Sequence, residues 1–205
     1  MCLSCGVPAI CVFLSSSPGS RPEHAEAVRA LGAAIVASGH DLVYGGAHRG
    51  LMGVLADAAL AAGGVVVGVI PRALVELEVA HTGLTELHVV DTMHARKAAM
   101  FHRADGFIVA PGGFGTLEEA FEVLTAAQIG LHGKPLVFFD IGGFWRALEP
   151  FLDHAVAEGV LQPKNRSMIE VFDDPAAAVA RGRATHLSSL RSHCRWFSSW
   201  PRAYC

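Results

Sequence analysis

Charge, cysteine and long apolar runs are all scarce in this sequence of 205 residues. Charged residues make up only 17% of the chain, although 52% of it is hydrophobic. No uninterrupted apolar run reaches the roughly 18–20 residues that span a bilayer, so we expect no membrane partner. The first residues carry no basic side chain ahead of their apolar stretch. This pattern argues against a secretory signal, and we expect a cytoplasmic protein.

The cysteines exclude a disulfide framework because they are odd in number and lie mainly near the two ends: Cys2, Cys5, Cys11, Cys194 and Cys205. Cys2 and Cys5 form a CxxC pair, but a structural zinc site needs a second pair at suitable spacing, which is missing. We therefore predict no bound metal.

Lysine is also rare, with Lys97, Lys134 and Lys164 as its three occurrences. A pyridoxal enzyme needs a lysine that forms a Schiff base, and none of these three has a recognisable cofactor setting. The sequence argues against decarboxylation of an amino acid, and we expect no cofactor.

The net charge of −3 conceals an uneven distribution. Residues 1–180 contain 11 basic and 19 acidic side chains, whereas the residues from Arg181 onward contain five arginines and no acid. We predict a short extension at 1–8, one domain at 9–181 and a basic, poorly ordered tail at 182–205. A basic and aromatic tail is also typical of segments that bind nucleic acid or membrane. Because the arginines are dispersed, we expect no nucleic-acid partner.

The body of the chain alternates between short apolar runs and amphipathic segments. We predict strands at 9–16, 41–44, 65–70, 87–90, 106–110, 135–140 and 168–172, and helices at 23–38, 51–62, 93–104, 116–129, 144–158 and 175–181. Continuous apolarity is typical of parallel strands buried on both faces. The alternation predicts an α/β fold, a single domain with a doubly wound parallel sheet flanked by helices. Such sheets bind ligands beyond the carboxyl ends of their strands.

Glycine is concentrated at two predicted junctions between a strand and a helix. The first is GGAHRGLMG, which begins with Gly45 and Gly46, and the second is PGGFGT, which contains Gly112, Gly113 and Gly115 ahead of Thr116. Glycine lets backbone N–H groups approach an anion, and a helix N-terminus adds positive charge. Neither junction has the lysine of a Walker loop or a clear GxGxxG pattern. The glycines therefore favour a monophosphate, although tight turns also select glycine.

Thr116 and Glu119 permit two interpretations. Thr-x-x-Glu at a helix start is a capping box, in which the two side chains satisfy backbone N–H groups. However, a carboxylate at a crevice-facing helix start, beside a phosphate cradle, is suitably placed for acid–base chemistry or for stabilising a cation. The sequence alone leaves both possibilities open.

A third segment, Met93–Lys97, follows a predicted strand and carries adjacent cations. Arg96 can hold phosphate or carboxylate in a bidentate contact, and Lys97 supplies a point charge. The alternative is a solvated first helical turn. In an acidic body, the pair stands out as a candidate anion contact.

The segments PGGFGTLEE, GGAHRGLMG, VIPRALVELEVAH and MHARK together resemble the LOG ("lonely guy") family of cytokinin riboside 5'-monophosphate phosphoribohydrolases, formerly labelled lysine decarboxylases. The resemblance runs from about Ala9 to Arg181. It implies a Rossmann-like homodimer, or an assembly of dimers, that hydrolyses the N-glycosidic bond of AMP or an N6-modified AMP. The products would be the free base and ribose 5-phosphate.

The resemblance also implies roles for individual residues. Arg96 and Glu119 match the family's catalytic arginine and glutamate, and Gly112, Gly113, Gly115 and Thr116 match its phosphate-binding loop. Met93 and Lys97 would line the nucleotide site, with Gly45 and Gly46 also contacting the substrate. A different class stays open: a nucleotide or molybdenum-cofactor carrier or sensor, which would share the glycine loops without catalysis. The presence of both Arg96 and Glu119 favours hydrolysis.

Overall fold

The structure, a computed structural model, describes residues 7–75 and 80–183. Seven strands form one parallel sheet: β1 (Ala9–Phe13), β2 (Asp41–Tyr44), β3 (Val66–Pro71), β4 (Glu86–Val90), β5 (Gly106–Val109), β6 (Leu136–Phe139) and β7 (Glu170–Phe172). Their order is β4-β3-β2-β1-β5-β6-β7, which confirms the predicted doubly wound sheet. The order reverses between β1 and β5, where Ile10 pairs with Leu42 on one side and with Gly106 on the other.

In the part of the chain that the structure describes, seven α-helices flank this sheet: α1 (Pro22–Ala37), α2 (Gly50–Ala61), α3 (Met93–Arg103), α4 (Phe114–Gln128), α5 (Glu149–Ala157), α6 (Pro163–Arg166) and α7 (Pro175–Gly182). Among the described residues, no helix combines the length and apolarity needed to cross a membrane. The predicted extension at 1–8 and tail at 182–205 lie almost wholly outside the described residues.

The central strands of the sheet are buried on both faces, as continuous apolar strands require, whereas the edge strands β4 and β7 are partly exposed. In β1, Ile10 and Val12 belong to the core formed with α1, α2 and α7. Cys11 and Phe13 alternate with them and belong to the opposite core, formed with α3 and α4. Burial on both sides explains why the apolar runs predicted the strands well.

The main departure from the predicted elements lies after β6. One helix was expected at 144–158, but a 3-10 turn at Arg146–Leu148 precedes α5. The buried carboxylate of Asp140 accepts hydrogen bonds from the backbone N–H groups of Gly143, Trp145 and Arg146, at 3.0, 2.5 and 3.3 Å. These contacts hold the chain in a turn, and the regular helix begins only at Glu149.

The connections after β1 and β5 meet where the strand order reverses. The backbone N–H of Ser15 donates to the carbonyl of Pro111 at 3.1 Å. The N–H groups of Leu51 and Met52, at the start of α2, donate to Ser17 and Ser15 at 3.3 and 3.2 Å. This backbone network fixes the floor of a cleft at the position where doubly wound sheets bind ligands.

Candidate active site

A cleft of about 340 Å³ lies beyond the carboxyl ends of β1 and β5. Its wall consists of the connection after β1, the start of α3 and the start of α4. Six of the residues predicted from the sequence line it: Met93, Arg96, Gly113, Gly115, Thr116 and Glu119. The strand order therefore brings together two motifs that are about 20 residues apart in the chain.

The start of α4 presents a bare backbone to this cleft. The N-cap residue of this helix is Gly113, and no side chain among the described residues caps it with a hydrogen bond. The first N–H groups of an α-helix lack partners within the helix and carry a partial positive charge. A Cβ added at Gly113 or Gly115 would meet nothing within 4 Å, so packing does not require glycine there. This part of the predicted loop is suited to binding an anion.

The capping-box interpretation is wrong because α4 begins two residues earlier than predicted. Thr116 is the third residue of the helix and not its N-cap. Its side chain is buried against Gly112, where an added Cβ would lie 2.0 Å from the threonine Oγ1. Gly112 therefore serves the packing of the loop, and Glu119 lines the cleft.

Glu119 is a buried carboxylate, only 6% exposed, in the second turn of α4. Arg96 is similarly buried, at 4% exposure, in the first turn of α3. Both groups act electrostatically on the Cys11 thiol in the central strand. Burial raises the pKa of Cys11 well above its ordinary value, the Glu119 carboxylate raises it further, and the Arg96 guanidinium opposes the rise. Both side chains therefore lie close enough to β1 to act on the same thiol.

The guanidinium of Arg96 is held by few contacts. Its Nη2 donates to the carbonyl of Gly45 at 3.3 Å, and its Nη1 lies 3.9 Å from the sulfur of Met93. Its buried Nε has no hydrogen-bond partner among the described residues. Burying a charged group without partners is costly, so an unpaired buried donor beside a cleft favours an anionic or polar ligand.

The first glycine cluster, in the connection between β2 and α2, supports the wall of the cleft. Gly45 leaves room for Arg96, because an added Cβ would lie 2.0 Å from the arginine Nη2. Gly46 has a φ of 78° and its carbonyl accepts from the N–H of His81 at 3.0 Å. Gly50, with a φ of 61°, packs so closely on the connection after β1 that an added Cβ would lie 2.3 Å from the carbonyl oxygen of Ser16. Gly45, Gly46 and Gly112 support the wall and are not among the residues that line the cleft.

Lys97 is not among the residues that line this cleft but lines a smaller apolar pocket beside it. Its ammonium group forms ion pairs with Glu118 and with Glu122, the second at 3.1 Å. Glu118 lines the main cleft, whereas Glu119 borders both spaces. The adjacent cations of the MHARK segment therefore occupy different environments.

The serines after β1 were not among the predicted site residues. Ser15, Ser16 and Ser17 line the cleft, although residues 15 and 16 were predicted to continue the strand. The run of small polar residues ahead of Pro18 and Gly19 was the available signal for an early strand end. Phe114, whose side chain is 93% exposed, also lines the cleft and had no signal beyond its place in the glycine loop.

Within residues 7–75 and 80–183, one group of possible metal ligands lies outside the cleft, formed by His48, Asp57 and His81. The Nδ1 of His81 accepts from the N–H of Gly83 at 3.0 Å, so the neutral ring carries its proton on Nε2. That Nε2 lies 2.9 Å from the Asp57 carboxylate and donates to it. A metal ligand needs a deprotonated nitrogen, and the arrangement fits a hydrogen-bonded pair better than a metal site.

Comparison with known proteins adds a family assignment to this geometry. Residues 52–181 match a protein-family model described as possible lysine decarboxylase. A cytokinin riboside 5'-monophosphate phosphoribohydrolase of Rhodococcoides fascians is 47% identical over 177 residues, which cover 86% of this chain and 89% of that protein. The protein of that name from Arabidopsis thaliana, LOG7, is 45% identical over 160 residues, which cover 78% of this chain and 74% of its own length.

Solved structures of lower identity share the fold. The molybdenum cofactor binding protein of Rippkaea orientalis superposes with a TM-score of 0.63 at 20% identity, covering 86% of this chain and 96% of that one. The molybdenum cofactor carrier protein of Chlamydomonas reinhardtii gives a TM-score of 0.61 at 22% identity, covering 85% and 95%. At such identities the likeness establishes the architecture, and function has to be argued from the site.

Proposed function

Because the chain belongs to the LOG family of cytokinin riboside 5'-monophosphate phosphoribohydrolases, we propose that it hydrolyses the N-glycosidic bond of purine riboside 5'-monophosphates. The products are the free base and ribose 5-phosphate. The observation that carries the proposal is the placement of buried Arg96 and buried Glu119 in one cleft with the uncapped start of α4. A carrier would not need this pair.

The phosphate of the substrate binds at the N-terminus of α4. The N–H groups of Phe114, Gly115 and Thr116 occupy the first three positions of the helix and lack partners within it. A dianion there gains from both the N–H groups and the helix dipole. This binding energy fixes the sugar in the cleft and positions the glycosidic bond for attack.

Glu119 acts on the sugar during bond cleavage. Loss of the base gives the ribose an oxocarbenium-like transition state, whose positive charge a nearby carboxylate stabilises. The same carboxylate can orient the water that adds to the anomeric carbon. Burial strengthens both effects because the effective dielectric constant is lower than in water.

Arg96 holds the substrate or assists the departing base. Its Nε is buried with no hydrogen-bond partner in the described part of the chain, and its Nη2 hydrogen bond to the Gly45 carbonyl orients the side chain. A substrate oxygen or nitrogen placed against Nε would satisfy this donor. The departing base takes up a proton as the bond breaks, and a fixed cation beside it favours the electron pair that the base carries away.

We further propose that the protein is a cytoplasmic homodimer, or an assembly of dimers, as the resemblance implies. The edge strand β4 supports a contact between copies, because Leu87 and Val89 expose apolar side chains there, at 36% and 42%. Edge strands of soluble proteins are usually covered or carry charge. Light scattering on the purified full chain tests the proposal, and a monomer at micromolar concentration contradicts it.

The activity is tested by incubating the full chain with AMP, with an N6-prenylated AMP and with adenosine, and by measuring free base and ribose 5-phosphate chromatographically. We expect both nucleotides to be cleaved and adenosine to react poorly, because it lacks the phosphate. Arg96→Ala and Glu119→Ala should lose turnover while keeping the wild-type melting temperature within a few degrees. Equal rates on AMP and adenosine, or full activity in Glu119→Ala, would contradict the proposed mechanism.

A further inference from the structure

A second cavity, of about 410 Å³, lies at the amino ends of β6 and β7. Because the strands are parallel, this is the opposite edge of the sheet from the cleft. Its volume lies within the range of about 300–1,000 Å³ that is typical of small-molecule sites. Apolar side chains form part of its wall, among them Leu124, Leu136 and Met168. The second cavity therefore has the size and the apolar surface that a small ligand needs.

Four ionisable side chains also line the second cavity, and three of them already have partners within the protein. Arg181 donates two hydrogen bonds to the carboxylate of Glu170, one of them at 2.9 Å, so these two charges compensate each other. The Nε2 of His132 donates to the carbonyl of Val123 at 2.9 Å, and its Nδ1 accepts from the backbone N–H of Lys134 at 3.1 Å. The fourth ionisable side chain is that of Lys134 itself.

The ammonium group of Lys134 has neutral contacts in place of a counter-ion. Its Nζ donates to the carbonyl of Phe101 at 2.7 Å and lies 4.3 Å from the centroid of the Phe101 ring. No ion pair within residues 7–75 and 80–183 includes Lys134. An ammonium group has three N–H donors, and buried charges in proteins are normally paired. Lys134 therefore offers a ligand in the second cavity a positive charge that no carboxylate of the described chain compensates.

The protonation of Lys134 agrees with the lack of a counter-ion. Burial lowers its pKa from 10.5 to about 8, and the attraction of the Asp105 carboxylate only partly opposes this effect. A ligand carboxylate in contact with the ammonium group would raise the pKa again, so its binding near pH 8 would be accompanied by proton uptake. The other titratable groups that line the cavity are His132, Glu170 and Arg181, and burial holds the pKa of His132 below its ordinary value.

We propose that the second cavity binds a small molecule with one carboxylate and an apolar body, and that Lys134 holds the carboxylate. One uncompensated cation matches one negative charge, whereas a phosphate dianion would bring an unmatched charge close to Glu170. The apolar wall suits the body of such a ligand. The competing explanation is that Lys134 serves only the end of α3, where a cation interacts favourably with the helix carbonyls. The proposed site does not depend on the proposed hydrolysis.

The methionines of the full chain report where a ligand binds. The sequence contains five of them, of which Met168 lines the second cavity, whereas Met52 and Met93 line the cleft. We titrate protein labelled with ¹³C at the methionine methyl groups with benzoate, with benzyl alcohol as the neutral analogue and with inorganic phosphate. Benzoate should shift the Met168 signal saturably and leave those of Met52 and Met93 in place. Benzyl alcohol and phosphate should each bind more weakly than benzoate.

Three variants and a calorimetric measurement test the role of Lys134. Lys134→Met should weaken benzoate binding by about 10-fold or more, because a hydrogen bond to a charged group is lost. Lys134→Arg keeps the charge and should keep the binding, as should the control Lys164→Met, whose lysine is exposed and not among the residues that line the cavity. Calorimetry at pH 8 in buffers of different ionisation enthalpy should show uptake of about half a proton by the wild-type protein.

Several outcomes would overturn the proposal. The wild-type Met168 signal would not respond to benzoate, or benzyl alcohol or phosphate would bind there as tightly as benzoate. A folded Lys134→Met protein with wild-type affinity for benzoate would leave Lys134 as a residue that serves only α3. If Lys134→Met fails to fold, the proton uptake of the wild-type protein and the comparison with benzyl alcohol still decide. None of these results depends on whether the protein cleaves AMP.

Discussion

Gly45 controls the position of Arg96 although it carries no side chain, and replacing it with alanine tests the site sharply. The Cβ of Gly45→Ala would lie 2.0 Å from the Nη2 of Arg96. An ordinary van der Waals separation is about 3.5 Å, so the guanidinium would have to move by about 1.5 Å. Gly45 is not among the glycines with positive φ, and its backbone accepts alanine without strain.

The movement should affect activity far more than stability. Misplacing a catalytic group by about 1 Å can cost about 100-fold in rate, so we expect kcat/KM for AMP to fall by at least that factor. The free energy of unfolding should fall by only about 1 kcal/mol, because loss of the 3.3 Å hydrogen bond from Arg96 to Gly45 is partly offset by the restricted unfolded chain. The melting temperature should drop by about 2–4 °C.

A double-mutant cycle isolates the cause. Base release from AMP is measured for Gly45→Ala, Arg96→Ala and the double variant, with Gly133→Ala as the control because an added Cβ there meets nothing within 4 Å. If Gly45→Ala acts by displacing Arg96, it should cause no further loss once Arg96 is absent. Wild-type kcat/KM in folded Gly45→Ala, or an equal loss in the Arg96→Ala background, would refute the reasoning.

Two further predictions concern stability. Gly50→Ala should lower the melting temperature more than Gly45→Ala does, because its φ of 61° costs alanine at least about 1 kcal/mol and the added Cβ would lie 2.3 Å from the carbonyl oxygen of Ser16. A wild-type melting temperature for Gly50→Ala would contradict this packing. Burial lowers the pKa of Lys134 from 10.5 to about 8. Between pH 8 and 10.5 the unfolded chain binds the proton that the folded protein has released, so wild-type stability relative to Lys134→Met should rise with pH by about 3 kcal/mol over this window. Urea unfolding at several pH values measures this difference, and a constant or falling difference would show that the burial of Lys134 does not control its protonation.

The fold was predictable because its signals are local. The strands β2 and β5 match their predicted positions within one residue, since a parallel strand buried on both faces must be apolar throughout. The junctions rich in glycine could be placed at strand ends, and the rule for doubly wound sheets placed a ligand site beside them. The pattern of the chain offered Arg96 as an anion contact and Glu119 as either a cap or an acid–base group, and the family resemblance gave both residues catalytic roles.

Other features depended on distant parts of the chain. The start of α4 at Phe114, and with it the failure of the capping box, follows from how the loop after β5 packs, including the contact of Thr116 with Gly112. The early end of β1 at Phe13 reflects the backbone bonds that Ser15 makes to Pro111 and Met52. Secondary-structure propensity depends on neighbouring residues in the sequence, so it carries no information about these distant contacts.

The sequence by itself determined the alternation of strands and helices, the glycine-rich turns and the identities of the charged residues, because each depends on neighbours a few positions away. Only the tertiary structure decided that Arg96 faces the cleft beside Glu119 while Lys97, the next residue, pairs with Glu118 and Glu122. Adjacent residues on a helix point about 100° apart, and what each one meets is fixed by the strand order that brings α3 and α4 together. That order is a global property of the packed sheet.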